Sequence, residues 1–587
     1  MKLTDYIIDF LVKEKVKHVF GITGVSAVHL FDSAHKNKNI EYICNHHEQA
    51  SAMAIDAYSR LTGNLGVVMT TSGPGATNLL TGTCCSYFDS IPILCLTGQV
   101  PTNQSRKGFK ARQIGFQETD IVDIYGPVTK YSKSVENSKD IRYELEKAIH
   151  IAKSGRPGPV LLDLPDDIQR ADVDINTLRG FFPKTIKRNN SNLEEKIDYV
   201  VRLVEKSKRP VIISGAGVKL AKAEAKTKKL VEKLKFPVAL TWATKDTFPH
   251  DYPLVIEGFG VSSGRAGNFA VQNSDLILAM GTKLDTHETG NNLSSFAREA
   301  KKIVVDIDKG ELEKYKIRGM KDVNLINHDI NSFLDGILKR KVKTKDISSW
   351  TKRIDEWKKR YPLCLPEYSN QKDKVNPYVF LDTLSKETKT GDVIITDAGA
   401  TLTWTMQSYK VKKDQKLFSA FNHSPMGYAV PATIGAYYAT KRPIICTTGD
   451  GGLMMNIQEL AIIKDRKLPI KMFVFNNNGY GIIQQTQDTW LNSLYAASNP
   501  SSGIAIPNFE KLSYGFEIKY VSINNHDELK RGIRETLDYK GPVLCDIKMN
   551  QHEKIKPKLS FGGSIEDSEP QLPRKEFLEN MIIKPLS

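Results

Sequence analysis

The 587-residue chain predicts an α/β fold of three consecutive domains, each an open parallel sheet covered by helices. Two observations carry this. Short β-branched runs recur, each ending in a glycine turn that opens a helical stretch, which is the pattern of βα units in a parallel sheet. Two polar, charged stretches, Lys184–Asn192 and about Lys339–Asp373, interrupt that pattern and read as linkers. They divide the chain into residues 1–173, 190–340 and 374–549, followed by a proline- and charge-rich arm over 550–587 that reads as mostly irregular.

Composition narrows the class. Against 67 acidic residues stand 83 lysines and arginines, a formal net charge of +16. The lysines lie beside glutamates along predicted helices, as in Lys219–Lys235, which is the pattern of a solvated surface. No RNA- or DNA-binding motif accompanies them, so no nucleic-acid partner is expected. At 40% hydrophobic residues there is ample core material. No apolar run approaches the roughly 18 residues of a membrane span. Met1–Leu11 forms an amphipathic helix with acidic residues, unlike a signal or transit peptide. Seven cysteines without repeating spacing fit reduced thiols, and adjacent Cys84-Cys85 cannot make a CxxC metal site. A cytoplasmic location is expected.

In the first domain, Val19–Ile22 runs into a turn at Thr23-Gly24. Ile43–Cys44 precedes Asn45-His46-His47-Glu48-Gln49-Ala50, which opens a helix to about Arg60. Val67–Thr71 leads into Ser72-Gly73-Pro74-Gly75-Ala76-Thr77-Asn78, and Ile93–Leu96 into Thr97-Gly98-Gln99-Val100-Pro101. Glu48 stands where strand gives way to helix; by itself a first-turn glutamate is only a favourable dipole partner. The second domain begins with Arg209–Ser214 entering Gly215-Ala216-Gly217. A lysine-rich helix and strands at Pro237–Thr241, Asp275–Gly281 and Lys302–Asp308 follow.

The third domain carries the most pointed pattern. After Val393–Thr396, a second strand, Pro443–Cys446, ends in Thr447-Thr448-Gly449-Asp450-Gly451-Gly452. Leu453, Met454, Ile457, Leu460 and Ala461 then keep helical spacing. Pro469 opens the strand Ile470–Phe475, which ends in Asn476-Asn477-Asn478-Gly479. Strands of a βαβ unit are parallel, so Asp450 and Asn477 leave the same edge. The Asp450 carboxylate, the Asn477 amide oxygen and the Gly479 carbonyl can converge on one point. Hard oxygen ligands suit Mg²⁺, which takes its remaining ligands from phosphate and water. Gly449, Gly451 and Gly452 open a helix whose N–H groups can face a diphosphate. The plainer alternative is a buried βαβ unit with turn glycines.

This segment resembles the GDG…NN signature of thiamine diphosphate (ThDP) enzymes. His47-Glu48-Gln49, Ser72–Asn78, Thr97–Pro101, Gly115-Phe116-Gln117-Glu118 and Gly155–Pro165 resemble the acetolactate synthase branch of that family, and the likeness runs from Lys2 to Met549. The resemblance implies that Glu48 hydrogen-bonds the aminopyrimidine of ThDP and activates the thiazolium carbon. It implies that Met426 wedges between the two rings, that Ser424 and Met426 hold the pyrimidine edge, and that Ala400 and Thr401 touch the diphosphate. Gly24, Val25, Ser72, Gly73, Asn78, Tyr480 and Ile482 match further cofactor-lining positions, and Phe116 and Gln117 the substrate side. His47 is read either as a proton shuttle or as a structural histidine. The implied activity is decarboxylation of a 2-oxo acid, pyruvate foremost, with ligation of the two-carbon unit to a carbonyl acceptor. The implied assembly is a homodimer or homotetramer whose sites join the first domain of one subunit to the third of another. A binding protein descended from such an enzyme would lack Glu48 or Asp450; both are present.

Departures from the branch point elsewhere. Thr486 stands where acetolactate synthases carry tryptophan, Asp166 follows Leu164-Pro165 in place of lysine, and Val25 replaces a glycine. The long loop between Thr102 and Gly115 holds Arg106, Lys107, Lys110 and Arg112. A wider pocket beside a basic loop would suit an anionic acceptor such as a nucleotide-linked ketosugar; a solvated turn and a simple 2-oxo acid decarboxylase are the alternatives. The central domain binds FAD in acetolactate synthases. Gly215, Gly217, Arg156 and Asp308 match that pattern, whereas Lys283 replaces an arginine. FAD, another adenine nucleotide and an empty site all stay open.

Overall fold

The computed structural model describes residues 1–183, 191–560 and 562–586. Lys184–Asn190, the greater part of the first predicted linker, lies outside the described residues. The first sheet contains β1 (His18–Ile22), β2 (Glu41–Cys44), β3 (Gly66–Thr70), β4 (Ile93–Gln99), β5 (Tyr131–Ser134) and β6 (Val160–Pro165). The second contains β7 (Pro210–Ser214), β8 (Val238–Leu240), β9 (Val255–Ile256), β10 (Leu276–Met280), β11 (Lys301–Asp306) and β12 (Val323–Asn327). The third contains β13 (Val393–Thr396), β14 (Lys416–Phe418), β15 (Ile444–Gly449), β16 (Ile470–Asn476), β17 (Lys519–Ile523) and β18 (Val543–Lys548). Every ladder within the three sheets is parallel.

The strand orders locate the crevices. The first sheet runs β2-β1-β3-β4-β6-β5 and the third β14-β13-β15-β16-β18-β17, which is the same order. The second runs β12-β11-β10-β7-β8-β9. In each, the chain reverses its direction of travel near the centre of the sheet, between β1 and β3, between β7 and β10, and between β13 and β15; in the first and third sheets it also doubles back at the edge, where β6 lies inside β5 and β18 inside β17. Loops on either side of such a reversal diverge and leave a crevice at the carboxyl ends of the strands.

The first and third sheets meet through equivalent helices. Glu48–Thr62 links β2 to β3, and Ala429–Thr440 links β14 to β15. They touch where Gly435 faces Ala54: a Cβ at Gly435 would lie 1.7 Å from the Ala54 carbonyl oxygen. Both helices are buried along most of their length, and one apolar cluster joins Ala52, Met53 and Ala57 to Val430, Ile434 and Ala436.

Two elements differ from the sequence reading, and a third packs where the sequence did not place it. The stretch after Gly452 is not one helix: Asp450–Met455 and Leu460–Asp465 are α-helical, and Ile457–Glu459 is a 3₁₀ turn between them. Asn456 breaks it at φ −137° and ψ 37°, where its side-chain amide donates to the Gly427 carbonyl at 2.8 Å. The second charged stretch contains a helix, Ser348–Arg360, which lays Trp350, Ile354 and Trp357 on the central core. Those three residues keep helical spacing inside a charged sequence. The C-terminal arm, irregular apart from Arg574–Asn580, returns to the central domain, where Leu559, Ile565 and Phe577 join its core. The Leu559 N–H bonds the Val261 carbonyl at 2.7 Å and buried Glu566 pairs with Arg298 at 2.7 Å.

Gly435→Ala is expected to lower the denaturant midpoint, since overpacking a close contact costs about 1–3 kcal/mol. Equilibrium unfolding checks this, and an unchanged midpoint would show that the helix pair can separate freely.

Candidate active site

At the carboxyl edge of the first sheet, the turns after β1, β2, β3 and β4 come together. Gly24 is extended against Thr71, whose Cβ would lie 2.6 Å from a Cβ at that position. Val25 follows, 85% exposed. Ser72 donates to the Ser26 hydroxyl at 3.1 Å. Gly73 takes φ 58°, and a Cβ there would sit 2.7 Å from the Gln117 carbonyl oxygen, so this turn requires glycine. Glu48 opens its helix and accepts a hydrogen bond from the Asn78 amide at 3.0 Å. His47 is the N-cap of that helix: its Nδ1 accepts from the Gln49 N–H at 3.1 Å. That bond gives the ring a capping role through one of its two nitrogens. Phe116 is 85% exposed and Gln117 sits at φ 63°.

The third sheet presents the complementary set. Asp450 is buried, and its carboxylate accepts from the N–H groups of Gly451 at 2.6 Å and Gly479 at 3.1 Å. Burial pushes its pKa up to about 6, while backbone donors from Gly479, Gly451, Asn478 and Asn477 pull it down. A cation facing this carboxylate would restore its charge. The buried Asn477 amide donates to the Gln551 carbonyl at 3.4 Å, which turns its oxygen the other way. A Cβ at Gly451 would lie 2.3 Å from the Tyr480 ring and 3.1 Å from Met426 Cε, so those three residues meet. Ala400 and Thr401 begin the helix Gly399–Ser408; a Cβ at Gly449 would lie 3.4 Å from the Thr401 hydroxyl and one at Gly481 3.9 Å from Ala400 Cβ. Ile482 packs against Gly399 from the helix Gly481–Trp490.

Three of the nucleotide candidates, Arg156, Gly217 and Lys283, line a third crevice, a cavity of about 760 Å³ to which Ser424 and Ile482 also contribute; Gly215 and Asp308 are not among its lining residues. Arg156 donates to Asp308 at 3.0 Å, to Glu311 at 2.8 Å and to Ser90 at 2.8 Å. Lys283 donates to the Phe88 carbonyl at 2.7 Å; burial, then the nearby Arg156 charge, lowers its pKa. The N–H groups of Gly215 and Gly217 go to the carbonyls of Met280 and Gly281 at 2.9 and 2.8 Å. Those glycines therefore serve the close approach of two turns and turn no N–H toward the cavity.

Comparison with known proteins accounts for this layout. The N-terminal TPP binding domain model of thiamine pyrophosphate enzymes matches residues 1–124, the central domain model 197–335 and the C-terminal TPP binding domain model 397–547. The acetolactate synthase large subunit of Porphyra purpurea is 34% identical over 569 residues, 95% of this chain and 93% of that one. The chain belongs to the thiamine pyrophosphate enzymes. It is a ThDP-dependent enzyme of the acetolactate synthase branch. The probable acetolactate synthase large subunit of Methanocaldococcus jannaschii is 32% identical over 612 residues, covering 100% of this chain and 99% of the relative. Acetolactate synthase 1, chloroplastic, of Zea mays is 33% identical over 583 residues, 96% and 88% of the two chains.

The basic loop does not support the ketosugar alternative as the sequence suggested. Arg106 pairs with Asp120, and exposed Lys107 pairs with Glu136 at 2.7 Å, so two of the four charges are already matched within the first domain; Lys110 and Arg112 are exposed. Thr486 returns its hydroxyl to the Ile482 carbonyl at 2.9 Å. No helix among the described residues is long and apolar enough to cross a membrane.

Several residues of this ThDP enzyme escaped sequence reading. Asp397 accepts from the Gly427 N–H at 2.9 Å and the Thr448 hydroxyl at 2.8 Å, joining the Met426 turn to the strand that delivers Asp450. Glu459 accepts from the Asn45 amide at 2.9 Å and the His46 N–H at 3.0 Å, next to Glu48. Asp163, pushed up to about 7 by burial, accepts from Thr97 at 2.6 Å and Gln99 at 3.0 Å; Gln99 also donates to the Thr119 carbonyl at 2.9 Å, behind Gln117. Asp397 and Glu459 are each one acid among many in the sequence, with no motif to single them out; Asp163 lies inside the matched segment Gly155–Pro165, but its partners lie far off in sequence. Glu118 latches the loop by accepting from Ile114 at 2.9 Å, Gly115 at 3.3 Å and the Arg106 N–H; despite burial these donors hold its pKa low.

Glu118→Ala is expected to open this loop. Hydrogen bonds to a charged acceptor are worth about 1.5–3 kcal/mol each, so tryptic cleavage at Lys110 or Arg112 should accelerate by about tenfold or more. Equal cleavage of wild type and variant under native conditions would show that the loop is held by other contacts.

Proposed function

We propose that the protein uses ThDP and Mg²⁺ to decarboxylate pyruvate and ligate the two-carbon unit to a second carbonyl compound, the reaction named for its acetolactate synthase relatives. The supporting observation is the meeting of buried Asp450 with Gly451, Tyr480 and Met426 at the crevice between β13 and β15. The glycines form a cradle that a Cβ would fill, and the donor set is hard oxygen, so the residues fit a metal-bound diphosphate. Asp450, the Asn477 amide oxygen and the Gly479 carbonyl would hold the metal. Gly449, Gly451, Gly452, Ala400 and Thr401 would face the diphosphate.

When bound, ThDP supplies the nucleophilic carbon. The chain supplies placement and proton movement. Glu48, fixed by Asn78, would share a proton with the pyrimidine ring. Met426 would hold the bend, and Ser424 the pyrimidine edge. Gln117 and Phe116 would face the substrate from the loop that Gln99 and Glu118 secure.

Glu48 and Asp450 belong to separate sheets, and Val25 and Phe116 are each 85% exposed at the edge that bears Glu48. Apolar side chains beside a catalytic acid are suited to burial against a second copy. We read the active unit as a homodimer or a homotetramer, joined by an isologous interface that brings one subunit's Glu48 to the other's Asp450. The interdomain cavity lies within the size range of ligand sites and would take FAD or another adenine nucleotide, with Lys283 and Arg156 facing its phosphates; no reaction step is assigned to it. All seven cysteines are free thiols, which favours a reducing compartment such as the cytoplasm.

Incubation with pyruvate, ThDP and Mg²⁺, followed by product analysis with and without added ketone acceptors, tests the reading; acetolactate from pyruvate alone is expected. Release of CO₂ with acetaldehyde as the only product would instead favour a simple decarboxylase. Asp450→Ala should abolish metal-dependent ThDP binding in titration calorimetry, and wild-type affinity in that variant would remove Asp450 from the metal site. Glu48→Gln should retain most ThDP affinity yet slow deuterium exchange at the thiazolium carbon by about 10²–10⁴-fold. Exchange at the wild-type rate would take Glu48 out of cofactor activation.

A further inference from the structure

The segment Phe421–Tyr428, which carries Ser424 and Met426, is gripped by side chains from outside its own domain. Asp89, at the end of the helix Leu80–Asp89 in the first domain, is buried. Its carboxylate accepts from the N–H groups of Phe421 at 2.9 Å and Asn422 at 3.1 Å, and from the Asn422 amide. The Phe88 ring stacks on His423 with centroids 5.5 Å apart and planes at 14°. At the far end, Tyr428 donates to Asp56 at 2.5 Å. Arg60 joins the two carboxylates, donating to Asp56 at 2.6 Å and to Asp89 at 2.7 Å. Ser86 donates to Asp56 at 2.8 Å.

This arrangement exceeds what holding two domains together requires. Two buried carboxylates share one guanidinium, so the remaining negative charge must be met by the donors of the segment itself. At Asp89 two of those donors are the backbone N–H groups of Phe421 and Asn422, which fix main-chain position and not merely a surface contact. Between Asn422 and Tyr428, Ser424 sits at φ 50°, in the left-handed region that a serine leaves unless held. Asp397 fixes only the Gly427 end from within the domain.

We propose that Asp89 and Arg60 are positioning residues that set the shape of Phe421–Gly427, and through it the placement of Met426, which would hold the cofactor's bend. The inference rests on the ThDP reading of Ser424 and Met426. It gives the first domain a second duty: the helix Glu48–Thr62 carries Glu48 at its start and, through Asp56 and Arg60, the wedge segment of its own chain toward its end.

Asp89→Asn keeps the size of the side chain but offers an amide donor toward N–H groups. In the cofactor-free protein, backbone hydrogen exchange at Phe421 and Asn422 should rise by about tenfold or more while that of Gly451 and Gly452 stays unchanged. At saturating ThDP and Mg²⁺, deuterium exchange at the thiazolium carbon should fall by about 10–100-fold with thermal stability retained, since small misplacements of a reacting geometry cost that much. Should Asp89→Asn fail to fold, Asn422→Ala, which removes one donor alone, should show the same pattern at smaller amplitude. Wild-type exchange at both the segment and the cofactor, or a loss that excess ThDP fully restores, would overturn the proposal. If the wild-type protein fails to accelerate exchange of ThDP at all, the functional reading falls, while the hydrogen exchange of Phe421 and Asn422 still decides whether Asp89 shapes the segment.

Discussion

A strand paired only in parallel cannot turn back at its carboxyl end; it must cross the sheet, usually through a helix, and begin again at the opposite edge. Three sheets here obey that rule without exception among their ladders, so each loop that follows a strand emerges on one side. The turns bearing Glu48, Ser72, Lys283, Asp450 and Asn477 share this origin. Their chemistry is possible because the topology leaves those ends unobstructed where the strand order reverses.

Buried carboxylates hold these loops in place. Asp397, Asp163, Glu459, Glu118 and Asp89 each accept from at least one backbone N–H or amide in a neighbouring loop. Taking a carboxylate out of water is unfavourable, so it seeks several donors; an anion that needs several partners is an effective staple for irregular chain. Asp450 differs in one respect. It is just as buried, yet its position in the crevice leaves it suited to a cation in addition to its backbone donors.

Much of the fold was legible because β-branched runs and glycine turns act locally. The turn at Gly73 needs a positive φ, and the strand before Asp450 needs a continuous apolar stretch; both appear in the letters themselves. Long-range contacts were not legible. Nothing near Asn456 announces that its amide will break a helix by reaching Gly427, and the charges around Trp350 and Trp357 disguise a helix whose buried face is only three residues wide. Spacing likewise cannot show that one His47 ring nitrogen receives the Gln49 N–H. Asp89 and Arg60 lie within ordinary helical sequence, and their meaning depends on Phe421, more than 300 positions away.

The arm that leaves β18 lays Leu559, Ile565 and Phe577 into the central core and Lys558 into the wall of the interdomain cavity. The ribosome makes that domain's strands long before it makes those residues, since synthesis runs from the amino end. The central domain must therefore wait, with part of its apolar interior uncovered, until the third domain has been translated. Its last folding event is the arrival of a segment that is remote in sequence. A premature stop shortly before Leu559 would leave β13–β18 intact and damage a domain whose own strands were all present.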